Sequence, residues 1–182
     1  MKNLTFFSSL LIILFLASCG EKDNSPEPGN EQRAFDVVFN GINISANYSV
    51  TTPIQTILLE NAMSSTNKDK VAYVKSAEVL NDQSSISIQG LQTGASLNTV
   101  TVNIMDGTGP QAKIVYTYNV NLNASDSNGI KDSTNPCTAF LSNSANYLAT
   151  KKSLNFQIIL NAGAQDLSNI TVTVHTTAIF NW

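Results

Sequence analysis

The residues with the most chemical potential are few and scattered. Asp126, Asn128 and Asp132 lie in the run Asp126-Ser127-Asn128-Gly129-Ile130-Lys131-Asp132, which spaces side-chain oxygens around a glycine turn. A hard cation such as calcium takes several oxygen ligands around a turn of this kind. A plain Asn-Gly surface turn accounts for the same residues. His175 is the only histidine and falls on the polar, threonine-lined parity of the last apolar segment. No Ser or Cys with a base partner accompanies it, so a solvent-facing imidazole is expected rather than part of a triad. Cys137 falls on an apolar helical stripe, where a thiol behaves as a small hydrophobe. The thirteen Asp and Glu are spread over turns and strand edges, so a carboxylate pair for glycan hydrolysis has no marker in the sequence. Tyr73, Tyr147 and Trp182 are candidates for stacking on sugar rings, but most rings lie on apolar parities and are expected to be core. No glycine-rich phosphate loop is found.

Cys19 is the second thiol, and its surroundings are distinctive. Lys2 precedes an apolar run, Phe6 to Phe15, of signal-peptide length and too short to span a bilayer. Small residues Ala17 and Ser18 then lead into Cys19. The stretch Leu16-Ala17-Ser18-Cys19-Gly20 resembles the lipobox of bacterial lipoproteins. That resemblance implies cleavage before Cys19, thioether lipidation of its sulfur and acylation of the new N-terminus. Several acyl chains, at about 0.8 kcal/mol per buried CH₂, make a stable anchor. Gly20 in place of Asp lacks, by the same resemblance, the signal that retains enterobacterial lipoproteins in the inner membrane. Glu21-Lys22-Asp23 resembles the surface-export tract of Bacteroidetes lipoproteins. The expected location is therefore the outer membrane, on its periplasmic or cell-surface face. The whole is similar to the small lipoproteins of that phylum.

The run at 126–132 also resembles part of the Asp-x-Asp-x-Asp-Gly-x-x-Asp calcium loops of thrombospondin-type-3 and dockerin-like repeats. That resemblance implies calcium ligation by Asp126, Asn128 and Asp132. The first ligand position would be Ala124, which carries no ligand, and there is no second copy.

Loss of residues 1–18, which hold Lys2 and no acid, takes the net charge from −3 to −4. A mildly acidic chain with no basic face argues against nucleic-acid binding. With Cys19 lipidated, Cys137 has no partner for a disulfide.

These groups need elements to position them. Residues 19–33 read as a solvated tether, rich in charge, Pro and Gly. Folding is expected from Ala34 to Trp182 as one domain. Apolar residues alternate through 35–39, 42–50, 84–89, 99–104, 114–122, 154–160 and 170–182, the period of strands with one buried face. Asn40-Gly41 marks a turn or bulge, and 71–80 reads as a strand of mixed pattern. Thr52-Pro53 and Asn135-Pro136 read as cap-plus-proline starts of two short amphipathic helices, 53–63 and 136–149. Single apolar faces belong to antiparallel sheets packed on one side. The expected fold is mainly β: an antiparallel two-sheet β-sandwich with two short helices.

Two echoes suggest a diverged internal duplication. Thr52-Pro53 with its following segment resembles Asn135-Pro136 with its own, and the stretch from Gly94 to Val102 resembles that from Gly163 to Val172.

The functional expectation is a lipid-anchored, non-catalytic binding or structural module. Its partners are the membrane, through the lipid, and a protein or glycan ligand. The rivals are a glycan-acting enzyme, which clustered carboxylates in a pocket would favour, and a subunit of a surface assembly. A flat Thr/Asn-rich sheet face favours binding.

Overall fold

The computed structural model describes residues 25–92, 95–105, 112–123 and 130–182; Cys19, Asp126 and Asn128 lie outside them. Among the described residues ten strands form two antiparallel sheets. The first sheet runs β1 (Asn30–Ile44), β10 (Leu167–Asn181), β5 (Ser85–Gln89), β8 (Ile130–Asp132), with β4 (Ser76–Val79) also pairing β10. The second runs β2 (Ser49–Thr51), β9 (Ser153–Ala162), β6 (Ser96–Met105), β7 (Ala112–Asn123), with β3 (Gln55–Leu58) also pairing β9. The expected mainly-β sandwich is the observed fold.

Alternation in the sequence becomes two buried rows. Phe35, Val37 and Phe39 of β1 and Val172, Val174 and Phe180 of β10 face inward from the first sheet. Leu154, Phe156, Ile158 and Leu160 of β9 and Val100, Val102 and Ile104 of β6 face them from the second. Phe35 and Phe180 stack with centroids 6.4 Å apart, a contact worth about 0.5–1.5 kcal/mol beyond area burial. Helix α2 (Asn135–Lys151) adds Cys137, Phe140, Leu141, Ala145 and Leu148 to the same core. Pro136 sits in its first turn, and its C-cap is Lys152, a left-handed residue with φ 67°. Such a non-glycine residue costs roughly 1–2 kcal/mol. The Lys152 ammonium offsets this by donating to the carbonyls of Ala149 and Val74, tying the helix end to the start of β4.

The segment 53–63, expected as one helix, divides into a short strand and a single helical turn. Gln55–Leu58 is β3, and only the four residues Leu59–Ala62 are helical, as α1. Ile54 and Leu58, expected on the buried stripe, are 50% and 37% exposed. Thr52 does not cap a helix. Its N–H donates to Ile158 O (2.9 Å) and its Oγ1 accepts from the Ile158 N–H (2.9 Å). Pro53, without a donor, then interrupts the edge strand between β2 and β3. The two Pro-led segments thus adopt different structures. The strand expected over 71–80 is also shorter: Lys68–Tyr73 is a 3-10 helix and β4 begins at Ser76. Tyr48, placed on a buried parity, is 70% exposed, because a turn at Asn47 (φ 61°) resets the alternation.

Strand β1 begins at Asn30, four residues before the expected start of the domain. Gly29 and Trp182 exchange both backbone hydrogen bonds (3.1 and 2.9 Å), so the strand's start is closed by the last residue. Glu31 fastens the segment after α1, accepting from the Ser64 N–H (3.3 Å) and Asn67 Nδ2 (3.1 Å), with Arg33 at 3.8 Å. Burial alone would raise this carboxyl; the hydrogen bonds from Ser64 and Asn67 and the Arg33 charge outweigh it and hold it below its ordinary 4.5.

Two outcomes are expected. A Cβ at Gly90 (φ +86°) would lie 2.5 Å from Asn169 O, whereas one at Gly41 (φ +66°) meets nothing within 4 Å. Urea unfolding should therefore show Gly90→Ala losing about 2–3 kcal/mol or more, and Gly41→Ala only about 1 kcal/mol. Glu31 has a lowered folded pKa, so its contribution is present above 4.5 and fades as pH falls through the folded value. The stability gap between wild type and Glu31→Gln should be largest at neutral pH and close in acid; a gap that does not change with pH would contradict this.

Candidate functional site

The outward faces of the sheets carry short polar side chains. On the second sheet Ser49 (β2), Asn161 (β9) and Thr99 (β6) are joined across three strands: the Ser49 hydroxyl donates to Asn161 Oδ1, and Asn161 Nδ2 donates to Thr99 Oγ1. Six residues along β9 from Asn161, Thr56 Oγ1 donates to Asn155 Oδ1 at 2.6 Å. Cross-strand hydroxyl and amide pairs of this kind each contribute roughly 0.2–1 kcal/mol and fix the rotamers of the face.

The first sheet presents a different row. Strand register aligns Asp36 (β1), His175 (β10) and Ser85 (β5). His175 Nδ1 lies 2.5 Å from Asp36 Oδ1. The imidazole therefore has a partner 139 residues away, where the sequence suggested a solvated ring alone. His175 Nε2 has Thr177 Oγ1 at 3.5 Å, but that hydroxyl donates to Gln83 O at 3.2 Å and Thr177 is buried. The hydroxyl hydrogen-bonded to the imidazole, that of Thr177, is a packing group rather than a presented nucleophile.

Two bulges face each other between the sheets and open a cleft. In β1, Asn40 and Gly41 oppose one residue of β10, between the pairs Phe39↔Val172 and Ile42↔Ile170. In the other edge, Thr52, Pro53 and Ile54 oppose two residues of β9, between Thr51↔Ile159 and Gln55↔Phe156. The cleft has a volume of about 330 Å³. Phe39, Ile42, Val50 and Pro53 give it apolar surface, while Asn40, Asn43, Thr51 and Gln55 give it amides and a hydroxyl. Its described lining holds no charged side chain. Gln55 Nε2 donates to Val38 O (2.7 Å), stapling the two edges together, and Asn43 Oδ1 accepts from the Asn169 N–H (2.9 Å). The Asn40 amide and Thr51 hydroxyl have no hydrogen-bond partner among the described residues.

The other sequence candidates are dispersed. Asp132 is buried, and its Oδ1 accepts from the Thr134 N–H (2.9 Å) at the start of α2. Among the described residues no group of three His, Cys, Asp or Glu could hold a metal. Cys137 is buried and its thiol donates to Asp132 O at 3.3 Å. Tyr147 is half-buried beneath Lys151, whose ammonium lies 5.9 Å from the ring centroid. Trp182 packs over Gly29. Tyr73 is partly exposed, at some distance in sequence from the cleft residues. The sequence does not reveal the cleft itself; its signals are Asn40-Gly41 and Thr52-Pro53, which read one at a time as a turn or bulge and as a helix cap.

No family model and no curated protein matches the chain. Among solved structures, one of turnip yellow mosaic virus is similar over 86% of this chain and 94% of that one, at 12% identity and a TM-score of 0.37. One of infectious bursal disease virus, Gx strain, is similar over 87% of this chain and 33% of that one, at 14% identity and a TM-score of 0.36. Likeness at this level assigns the chain to neither group.

Burial, and then the charge of Asp132, push the Cys137 thiol up to about 12. The expected outcome is no reaction of Cys137 with a thiol reagent in the folded protein and full reaction after unfolding; fast labelling of the native chain would show the thiol to be accessible.

Proposed function

We propose that the chain is a lipid-anchored protein of the bacterial cell envelope, and that its β-sandwich is a non-catalytic binding module. The anchor rests on Cys19 and its approach: Lys2, the apolar run 6–15 and the small pair Ala17-Ser18. Gly20 and the Glu21-Lys22-Asp23 tract favour the outer membrane as its place. Residues up to Pro28 are then the tether, shorter than the tether read to Arg33, because Gly29 already pairs with Trp182 and β1 begins at Asn30.

The observation that carries the binding reading is the hydrogen-bonded row Ser49–Asn161–Thr99 on the outward face of the second sheet. A face of short, mutually braced side chains loses little side-chain freedom when a partner settles on it. Its amides and hydroxyls both donate and accept, which suits a polar protein surface or a glycan.

Cys19→Ala is the test of the anchor. The variant should lose incorporation of labelled fatty acid and leave the membrane fraction for the soluble one. A variant that stays with the membrane would overturn the lipid anchor.

A further inference from the structure

We propose that the cleft between β1 and the β2–β3 edge binds a single neutral sugar unit of a glycan, with Asn40 and Thr51 as its hydrogen-bonding residues. This deepens the binding reading above and rests on it. The size comes first. At about 330 Å³ the cleft is at the small end of ligand sites, which run from roughly 300 to 1,000 Å³. It suits one ring rather than an extended chain.

Charge comes second. A phosphate, carboxylate or ammonium entering a site without a counter-charge gives up hydration and gains no ion pair. The described lining offers none, so a neutral ligand is selected. The polar groups come third. Asn40 and Thr51 line the cleft with exposed side chains whose amide and hydroxyl have no partner among the described residues. Covering them with an alkyl ligand would leave them unsatisfied, whereas neighbouring hydroxyls of a sugar satisfy both a donor and an acceptor. Phe39, Ile42, Val50 and Pro53 then accept the C–H face of the ring.

The site is also set before any ligand arrives. Gln55 is tied to Val38 O and Asn43 to the Asn169 N–H, so neither must be ordered on binding. Ile54, between the lining residues Pro53 and Gln55, is half-exposed. It gives the next unit of a longer glycan an apolar surface to lie on.

The test is saturation-transfer NMR on the full chain in detergent, with glucose, galactose, xylose and N-acetylglucosamine as probes and glucuronate as the charged control. At least one neutral sugar should receive saturation, and glucuronate should not. Asn40→Ala and Thr51→Ala should each weaken that sugar about tenfold, the loss of one good hydrogen bond, with unchanged thermal melting. Equal binding of glucuronate would overturn the neutral-ligand argument. Binding that persists in both variants would overturn the cleft and leave the module standing. A wild-type chain that binds none of the four would overturn the sugar and leave the module to a protein ligand.

Discussion

The structure depends on the double pairing of β10. This strand is hydrogen-bonded along one edge to β1 and along the other to β5 and β4. Its inward residues, Ile170, Val172, Val174, Ala178 and Phe180, are all buried. It is a central strand in the full sense, with both edges and its inner face committed. β9 has the same place in the second sheet, between β6 and the broken edge β2–β3. Most other elements are held by touching one of these two strands. Strands β7 and β8 are the exceptions, paired to β6 and β5 instead, and helix α2 is secured through the core and through Lys152.

The β-sandwich was legible because burial on one face imposes a period of two, and a shift of one residue would expose a whole row. Hence β5, β6, β7, β9 and β10 fall where the alternation of Val, Ile, Leu and Thr puts them. The segment 52–63 was misread because Ile54, Ile57, Leu58 and Ala62 also fit a helical face. What decides between the readings is the free edge of β9, which offers hydrogen bonds to Gln55–Leu58 that no local pattern reveals. The helix at Asn135-Pro136 was legible because it has a continuous stripe from Cys137 to Leu148 to bury, but the expected cap was misplaced: Thr134 is the N-cap and Asn135 already lies in the helix.

The site was less legible than the fold. A cleft made by two bulges on strands from different sheets has no sequence period. Gly41 shows only that the backbone turns there, and Pro53 only that a donor is missing. Their facing one another follows from how the sheets stack. The same holds for Asp36 and His175: each sits on an outward parity, but their meeting requires the β1–β10 register.

The pairing of Gly29 with Trp182 has a mechanical consequence. The chain enters the domain at one end of β1, and the bulge at Asn40 lies ten residues along it, about 33 Å away at strand spacing. A load applied between the start of β1 and the opposite end of the ladder on β10, at Leu167, would pull lengthwise on the two strands in opposite directions. The rungs between β1 and β10 would then be strained together, in shear, rather than opened one after another. Pulling on residue 182 against the leader would instead unzip the same ladder from its end. One strand pair is thus resistant along its length and weak at its paired ends.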